Sequence, residues 1–154
     1  MNKVVIGTAN FNSNYGFEKR RVSKKNIKKI ITFAKKNRIL NFDTAIDYSI
    51  PKNLFQFKNQ RNFKIITKFN IPKKNSKKFI KNFENKILHH INYIGINNIE
   101  GLLFHNTQDI KNQNFNHLIN IIKLLKKKKI IKKFGFSIYN PNEINLILNK
   151  VKPD

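Results

Sequence analysis

The sequence predicts an α/β fold built on a parallel sheet, and three observations carry that expectation. Five short apolar runs, beginning near residues 4, 39, 63, 101 and 130, each give way to a loop or a segment of helical period. The runs are continuously apolar rather than alternating, as strands buried on both faces should be. They recur at intervals of about 25 to 37 residues, enough for a crossover connection between parallel neighbours. Repeated strand-helix alternation of this kind implies right-handed crossovers. No linker interrupts the pattern, so residues 1–154 read as one domain.

Each element has a local reason. Val4-Val5-Ile6-Gly7 is an apolar run stopped by glycine, and an Asn- and Gly-rich loop from Asn10 to Phe17 follows it. Ser23 is placed to cap a helix carrying Ile27, Ile30, Ile31 and Ala34 at i, i+3, i+4, i+7 spacing. Ile39 to Phe42 form the second strand, ended by Asp43, and Leu54, Phe55 and Phe57 suggest a short, poorly formed helix. Phe63 to Thr67 form the third strand, ending at Lys68. Beyond Pro72, Ser76 should cap one long helix whose apolar face is Phe79, Ile80, Phe83, Ile87, Leu88 and Ile91. Gly101 to Phe104 make the fourth strand, ended by His105, and Phe115, Leu118, Ile119, Ile122 and Leu125 mark the next helical face. Ile130 to Phe136 hold the fifth strand, ending near Ser137. Asn140-Pro141 with Glu143 then supplies a cap, a proline at the first helical position and an acidic third position, ahead of Ile144, Ile147 and Leu148.

Composition narrows the function classes. Thirty-two basic against eight acidic residues give a net charge of +24, almost all of it from lysine. Such a charge invites a nucleic-acid or anionic-surface reading. The lysines, however, are spread over every expected helix rather than gathered on one stripe, and asparagine is enriched alongside them. A general drift of composition explains both excesses, so no specific nucleic-acid partner is expected. With 40% apolar residues and 12% aromatics the chain can bury a core. It has no cysteine, which removes disulfides, Cys-ligated metals and thiol nucleophiles. No apolar run approaches the roughly 18 residues of a membrane span, and the apolar start is too short for a signal peptide. No metal-ligand spacing stands out either, so a cytoplasmic protein with neither membrane nor metal is expected.

Position alone suggests where chemistry sits. In parallel α/β folds ligands bind at the carboxyl ends of the strands. Those ends carry Asp43 with Tyr48 five residues on, Lys68, His105 and Ser137. Taken singly each is ordinary: a helix cap, an amphipathic wall residue, a surface amine, a strand-end imidazole. Taken together they place an acid, a phenol, an amine and an imidazole on three successive strand ends. His89, His90 and His117 fall within helices, where surface positions are expected.

The same residues carry a family resemblance. Gly7-Thr8-Ala9, Asp43-Thr44-Ala45-Ile46-Asp47-Tyr48, Ile66-Thr67-Lys68, Leu103-Phe104-His105-Asn106 and Gly135-Phe136-Ser137-Ile138-Tyr139 resemble, in order and spacing, successive motifs of the aldo-keto reductase superfamily. The stretch Ile6 to Phe17, with Tyr15-Gly16, is similar to the branch associated with polysaccharide biosynthesis. The resemblance implies a TIM barrel of (β/α) units, of which this chain holds about five of eight. It also implies NADPH-dependent reduction of a small carbonyl substrate, an aldehyde or ketone, with sugar-derived compounds among the candidates. Tyr48 then matches the general acid, Lys68 and Asp43 the pair that tunes it, and His105 the substrate-orienting imidazole. Gly7, Thr8, Asp43 and Ser137 match positions at the nicotinamide end of NADP.

That chemistry has its own logic. Hydride transfer to a carbonyl puts negative charge on oxygen, which must be protonated or stabilised as it forms. A free phenol, with a pKa of about 10, is a poor donor near neutrality. A neighbouring ammonium favours the phenolate, and a carboxylate keeps that ammonium charged and in place. The chain departs from the resemblance after Tyr48, where Ser49-Ile50-Pro51-Lys52 replaces an expected Gly and a Ser-Glu pair. A complete barrel needs about 250 residues, so this chain alone would leave two open sheet edges. A partner chain or self-association completing the barrel, an inactive remnant, and a basic non-enzymatic protein remain open readings at this point.

Overall fold

The computed structural model describes residues 4–11, 13–14, 21–56 and 63–154. Tyr15, Gly16 and Phe57, which the sequence reading used, lie outside the described residues. Five strands form one parallel sheet in sequence order: β1 (Val5–Gly7), β2 (Asn41–Asp43), β3 (Lys64–Phe69), β4 (Ile99–Phe104) and β5 (Ile131–Phe136). Between them run α1 (Lys24–Lys36), α2 (Ser76–Lys81), α3 (Phe83–Ile94), a short 3₁₀ helix (Thr107–Lys111) and α4 (Phe115–Lys127), with α5 (Glu143–Leu148) after β5.

The register explains the core. Phe69, Phe104 and Phe136 are lateral neighbours across β3, β4 and β5. Their rings form a row, with centroids 4.7 Å apart at each step. Phe83 of α3 closes on Phe69 at 4.7 Å, and Phe115 of α4 on Phe104 at 5.4 Å. The phenylalanine content of the sequence is spent on fixing helices to the sheet, where tilted ring pairs add to area burial. At the β1–β2 side Phe42 is met by Phe55 and Phe63, each at 5.1 Å. Beside this row lie Gly101 and Gly135, close to the side chains of Ile66 and Leu103 respectively.

Several local expectations hold. Ser23 caps α1, its hydroxyl accepting from the Asn26 N–H at 3.3 Å. The Asn140–Glu143 segment makes the local hydrogen bonds expected of it, but α5 begins only at Glu143 with Asn142 as its N-cap, so Pro141 lies in the turn ahead of the helix rather than at its first position. The Glu143 carboxylate accepts from the Tyr139 and Asn140 N–H groups, and the Asn140 side chain accepts from Asn142 N–H.

Three further expectations are corrected. Residues 52–55 form turns rather than a helix, although Leu54 and Phe55 are buried. The loop backbone instead serves α3: Asn53 N–H donates to the Tyr93 carbonyl at 2.7 Å, and Phe55 N–H to Ile94 at 2.9 Å. The last carbonyls of a helix need partners, and here a neighbouring loop supplies them. Gly95 then ends α3 in the left-handed region, φ 80°, with Gln56 so close that a Cβ would stand 2.6 Å from it. The long helix expected from Ser76 is two helices broken at Asn82, and the cap is Asn75, itself left-handed at φ 58°. Leu88 is exposed; the buried face runs through Ile80, Phe83, Ile87, His90, Ile91 and Ile94.

The chain end returns to the sheet. Asp154 N–H donates to the Phe134 carbonyl at 3.1 Å, and its carboxylate accepts from Phe134 N–H at 2.9 Å. Lys126 holds the same carboxylate at 2.5 Å. Residue 154 therefore occupies part of the outer edge of β5.

Phe104 contacts rings from β3, β5 and α4 at once and is fully buried. Replacing Phe104 by Ala should cost about 3–5 kcal/mol of stability, read as a lowered urea midpoint with an unchanged slope.

Candidate active site

Each rim residue hangs from the strand beside it. Beyond the strand ends the ladders continue, by one bond from Thr8 N–H to the Asp43 carbonyl at 2.9 Å and by two between β2 and β3, Thr44 to Ile66 at 2.9 Å and Ile46 to Lys68 at 2.8 Å. His105 N–H donates to the Phe69 carbonyl and Ser137 N–H to Phe104, both at 2.8 Å. Parallel pairing thus carries the residues that follow the strands onto one edge of the sheet. Tyr48 reaches that edge through a tight turn, its N–H donating to Ala45 at 3.1 Å while its carbonyl accepts from Ile50 at 2.8 Å.

The side chains converge. Lys68 Nζ donates to both Asp43 oxygens, at 2.5 and 2.6 Å. The Lys68 side chain is 8% exposed and that of Asp43 37%, so the pair sits at the mouth of the core rather than deep within it. Lys68 Nζ also lies 5.9 Å from the centre of the Tyr48 ring. The Tyr48 and His105 rings stand edge to face, 6.2 Å between centroids. The structure therefore brings Asp43, Lys68, Tyr48 and His105 together.

His105 is held below the usual histidine pKa, first by burial and then by the Lys68 ammonium, with Asp47 and Asp43 pulling the other way. Its imidazole is neutral near pH 7. Among the described residues, neither His105 Nδ1 nor Thr44 Oγ1, both buried, has a hydrogen-bond partner. Two polar atoms on this rim thus retain hydrogen-bonding capacity.

The nicotinamide-end candidates divide. Gly7 is the register partner of Asp43, and a Cβ built on it would meet nothing within 4 Å among the described residues. Thr8 is fully buried, with its hydroxyl donated to the Asp43 carbonyl at 3.1 Å. Ser137 is half-buried beside the β4 end. Gly7 ends one outer strand and Thr8 follows it, whereas Ser137 follows the other, at opposite sides of the sheet. Open space over Gly7 and polar atoms without described partners at Thr44 and His105 leave room along this rim for a flat polar group.

Sequence reading missed two neighbours. His90 is buried, not on the surface: it is 5% exposed and pairs with Thr67 Oγ1 through Nε2 at 3.1 Å. Its spacing with Phe83, Ile87, Ile91 and Ile94 was the available signal. His89 and His117 are exposed, as expected. Asp47, a motif residue given no role, accepts from Asn70 Nδ2 at 3.2 Å and acts on both His90 and His105. Among the described residues no group of three His, Asp or Glu could hold a metal, and no helix is long and apolar enough to cross a membrane.

A parallel β/α sheet with a polar site at its carboxyl rim is the class of structure these features define. Neither a family model nor a curated protein matches the chain. Solved structures do. An aldo-keto reductase from Bacillus halodurans in its holo form superposes with a TM-score of 0.69 at 16% identity, covering 97% of this chain and 50% of that one. An aldo-keto reductase of the silkworm Bombyx mori gives 0.68 at 12%, covering 96% and 48%. One from Klebsiella pneumoniae, solved in complex with NADPH, gives 0.66 at 9%, covering 96% and 49%. The chain has the fold of the N-terminal part of an aldo-keto reductase barrel and spans about half the length of these solved chains.

Burial lowers the pKa of His90 to about 4, with His89 adding to the effect and Asp47 opposing it. A histidine depressed in the folded state binds protons more readily when unfolded, so stability is full above about pH 6.5 and falls as pH drops toward 4. The loss should reach about 3 kcal/mol, measured by urea unfolding across that window. His90→Gln should flatten the dependence.

Proposed function

We propose that this rim is the catalytic half of a carbonyl reductase that uses NADPH, or NADH in its place, with Tyr48 as general acid. The observation that carries the reading is the Lys68 ammonium, clamped by both Asp43 oxygens and 5.9 Å from the Tyr48 ring. Gly7, Thr8, Asp43 and Ser137 would hold the nicotinamide end. When bound, the reduced cofactor supplies one thing, a hydride to the carbonyl carbon.

The chain's own residues handle the oxygen. His105, neutral because it is buried beside a cation, donates a hydrogen bond that orients and polarises the carbonyl. Tyr48 gives its phenolic proton to the oxygen as negative charge develops there, yielding the alcohol. The phenolate left behind faces the Lys68 ammonium and regains its proton from water. Asp43 keeps Lys68 charged and aimed. The substrate class is a small polar carbonyl compound, with sugar-derived aldehydes and ketones the natural candidates. The chain spans about half of the solved relatives' length, so turnover belongs to a completed barrel.

The test follows from that division of labour. Co-folded with a fragment supplying the later strands, the chain should show NADPH oxidation that depends on added aldehyde. Tyr48→Phe in the reconstituted pair should lower kcat by about 10²–10⁴-fold, with secondary structure unchanged by circular dichroism. Turnover that persists in Tyr48→Phe would end the assignment of the acid. Lys68→Met should slow the reaction comparably and shift its pH profile, whereas Lys127→Met, in the exposed last turn of α4 ahead of β5, should leave it unaltered.

A further inference from the structure

On the far side of the Tyr48 turn lies a cleft that the proposed reaction does not use. It encloses about 750 Å³ between the turn at residues 46–48 and helices α2 and α3. That volume is within the range of small-molecule sites, roughly 300–1,000 Å³. Three features give it a chemical character.

The first is aromatic. Tyr48, Phe79, His89 and Tyr93 all present rings to the cleft, and the His89 and Tyr93 rings are nearly parallel, 18° apart with centroids 6.4 Å from each other. Tyr93 is anchored by donating its hydroxyl to the Ile50 carbonyl at 3.1 Å, which fixes the ring as a wall. The second is charge. Lys78 and Lys86 line the cleft, and no carboxylate does among the described residues. Neither lysine is in an ion pair among the described residues, and Lys86 Nζ instead rests 5.4 Å over the Phe79 ring. The third is spacing. Asn82, Lys86, His89 and Tyr93 follow one another at helical intervals, so amide, cation and rings lie along one stripe. A scattered lysine excess does not require a concave surface with rings on its walls and cations among them.

We propose that this cleft is a second ligand site, for a small aromatic carboxylate whose ring packs against Phe79 and Tyr93 and whose charge is taken by Lys78 and Lys86. An apolar ring gains by leaving water for the ring-lined wall. The carboxylate gains two ammonium partners without displacing an existing ion pair. His90, at the buried edge of the cleft, is neutral near pH 7 and adds no charge, so the two lysines set the anion preference. The proposal is independent of the hydride-transfer reading, because binding is read without cofactor or turnover. Tyr48 is common to cleft and rim, so an occupant would touch the turn that carries the phenol.

The experiment is a fluorescence and calorimetric titration with 2-naphthoate, alongside neutral 2-naphthylmethanol and non-aromatic acetate. The whole chain is used, at physiological salt. Saturable one-to-one binding of 2-naphthoate, with both comparison compounds at least about tenfold weaker, is the expected result. Lys78→Glu with Lys86→Glu should weaken 2-naphthoate binding at least about tenfold, while Lys111→Glu with Lys127→Glu, which changes net charge equally but lies elsewhere, should stay within about twofold. Equal weakening by both pairs would mean attraction to overall charge and would overturn the site. So would 2-naphthylmethanol binding as tightly as the acid, or no saturation. If the first pair disturbs folding, ring-proton shifts of His89 and Tyr93 on titrating the unaltered protein decide the matter. Shifts confined to the cleft support the site, and shifts spread over the surface or absent refute it.

Discussion

The Lys68–Asp43 ion pair is the constraint around which the rest of this structure is arranged. An ammonium 8% exposed at the head of a strand is costly to remove from water, by several kcal/mol, unless a carboxylate meets it with good geometry. Asp43 does so with both oxygens, because β2 and β3 are parallel neighbours and Asp43 is the last residue of its strand. The pairing satisfies the two charges and fixes the height of β3 against β2. It also brings a cation beside the Tyr48 ring and within electrostatic reach of His105. One contact thereby serves folding and sets up the rim on which the proposed chemistry rests. A hydrophobic pair in its place could serve the fold as well, but not that proposed chemistry.

How much of this was legible in the residues divides along physical lines. Strand ends were readable because the parallel ladder carries the residue after each strand to the same edge, and Asp43, Lys68, His105 and Ser137 stand there. The capping groups of Ser23 and Asn140 with Glu143 were readable because capping is local. Other features depend on tertiary partners. Residues 52–55 are turned because their N–H groups satisfy the end of α3, a partner some forty residues away. Asn82 divides one expected helix into two, and a helical period alone does not disclose a break at a polar position. His90 was misplaced by its residue type: its spacing set it among isoleucines, and Thr67 supplies the hydrogen bond that makes burial tolerable.

The sheet edges give the structure a second theme. A parallel sheet of five strands has two outer strands, and exposed strand edges invite pairing. Asp154 covers part of one, both accepting from and donating to Phe134 in β5, with Lys126 bracing its carboxylate. Val4 and Val5, at the other side, are each about half exposed. Solved structures of the same fold are about twice as long, and the proposed chemistry needs only the strand ends present here for its acid, its cation and its imidazole.

The most direct measurement is a double-mutant cycle on Asp43 and Lys68, comparing the urea stabilities of Asp43→Asn, Lys68→Met and the two combined. Removing Asp43 alone strands a largely buried ammonium, so the single change should cost more than its share of the double change. A coupling of about 1 kcal/mol or more is the expected result. Losses that simply add would contradict a paired cation at the rim, and with it the site built around Tyr48.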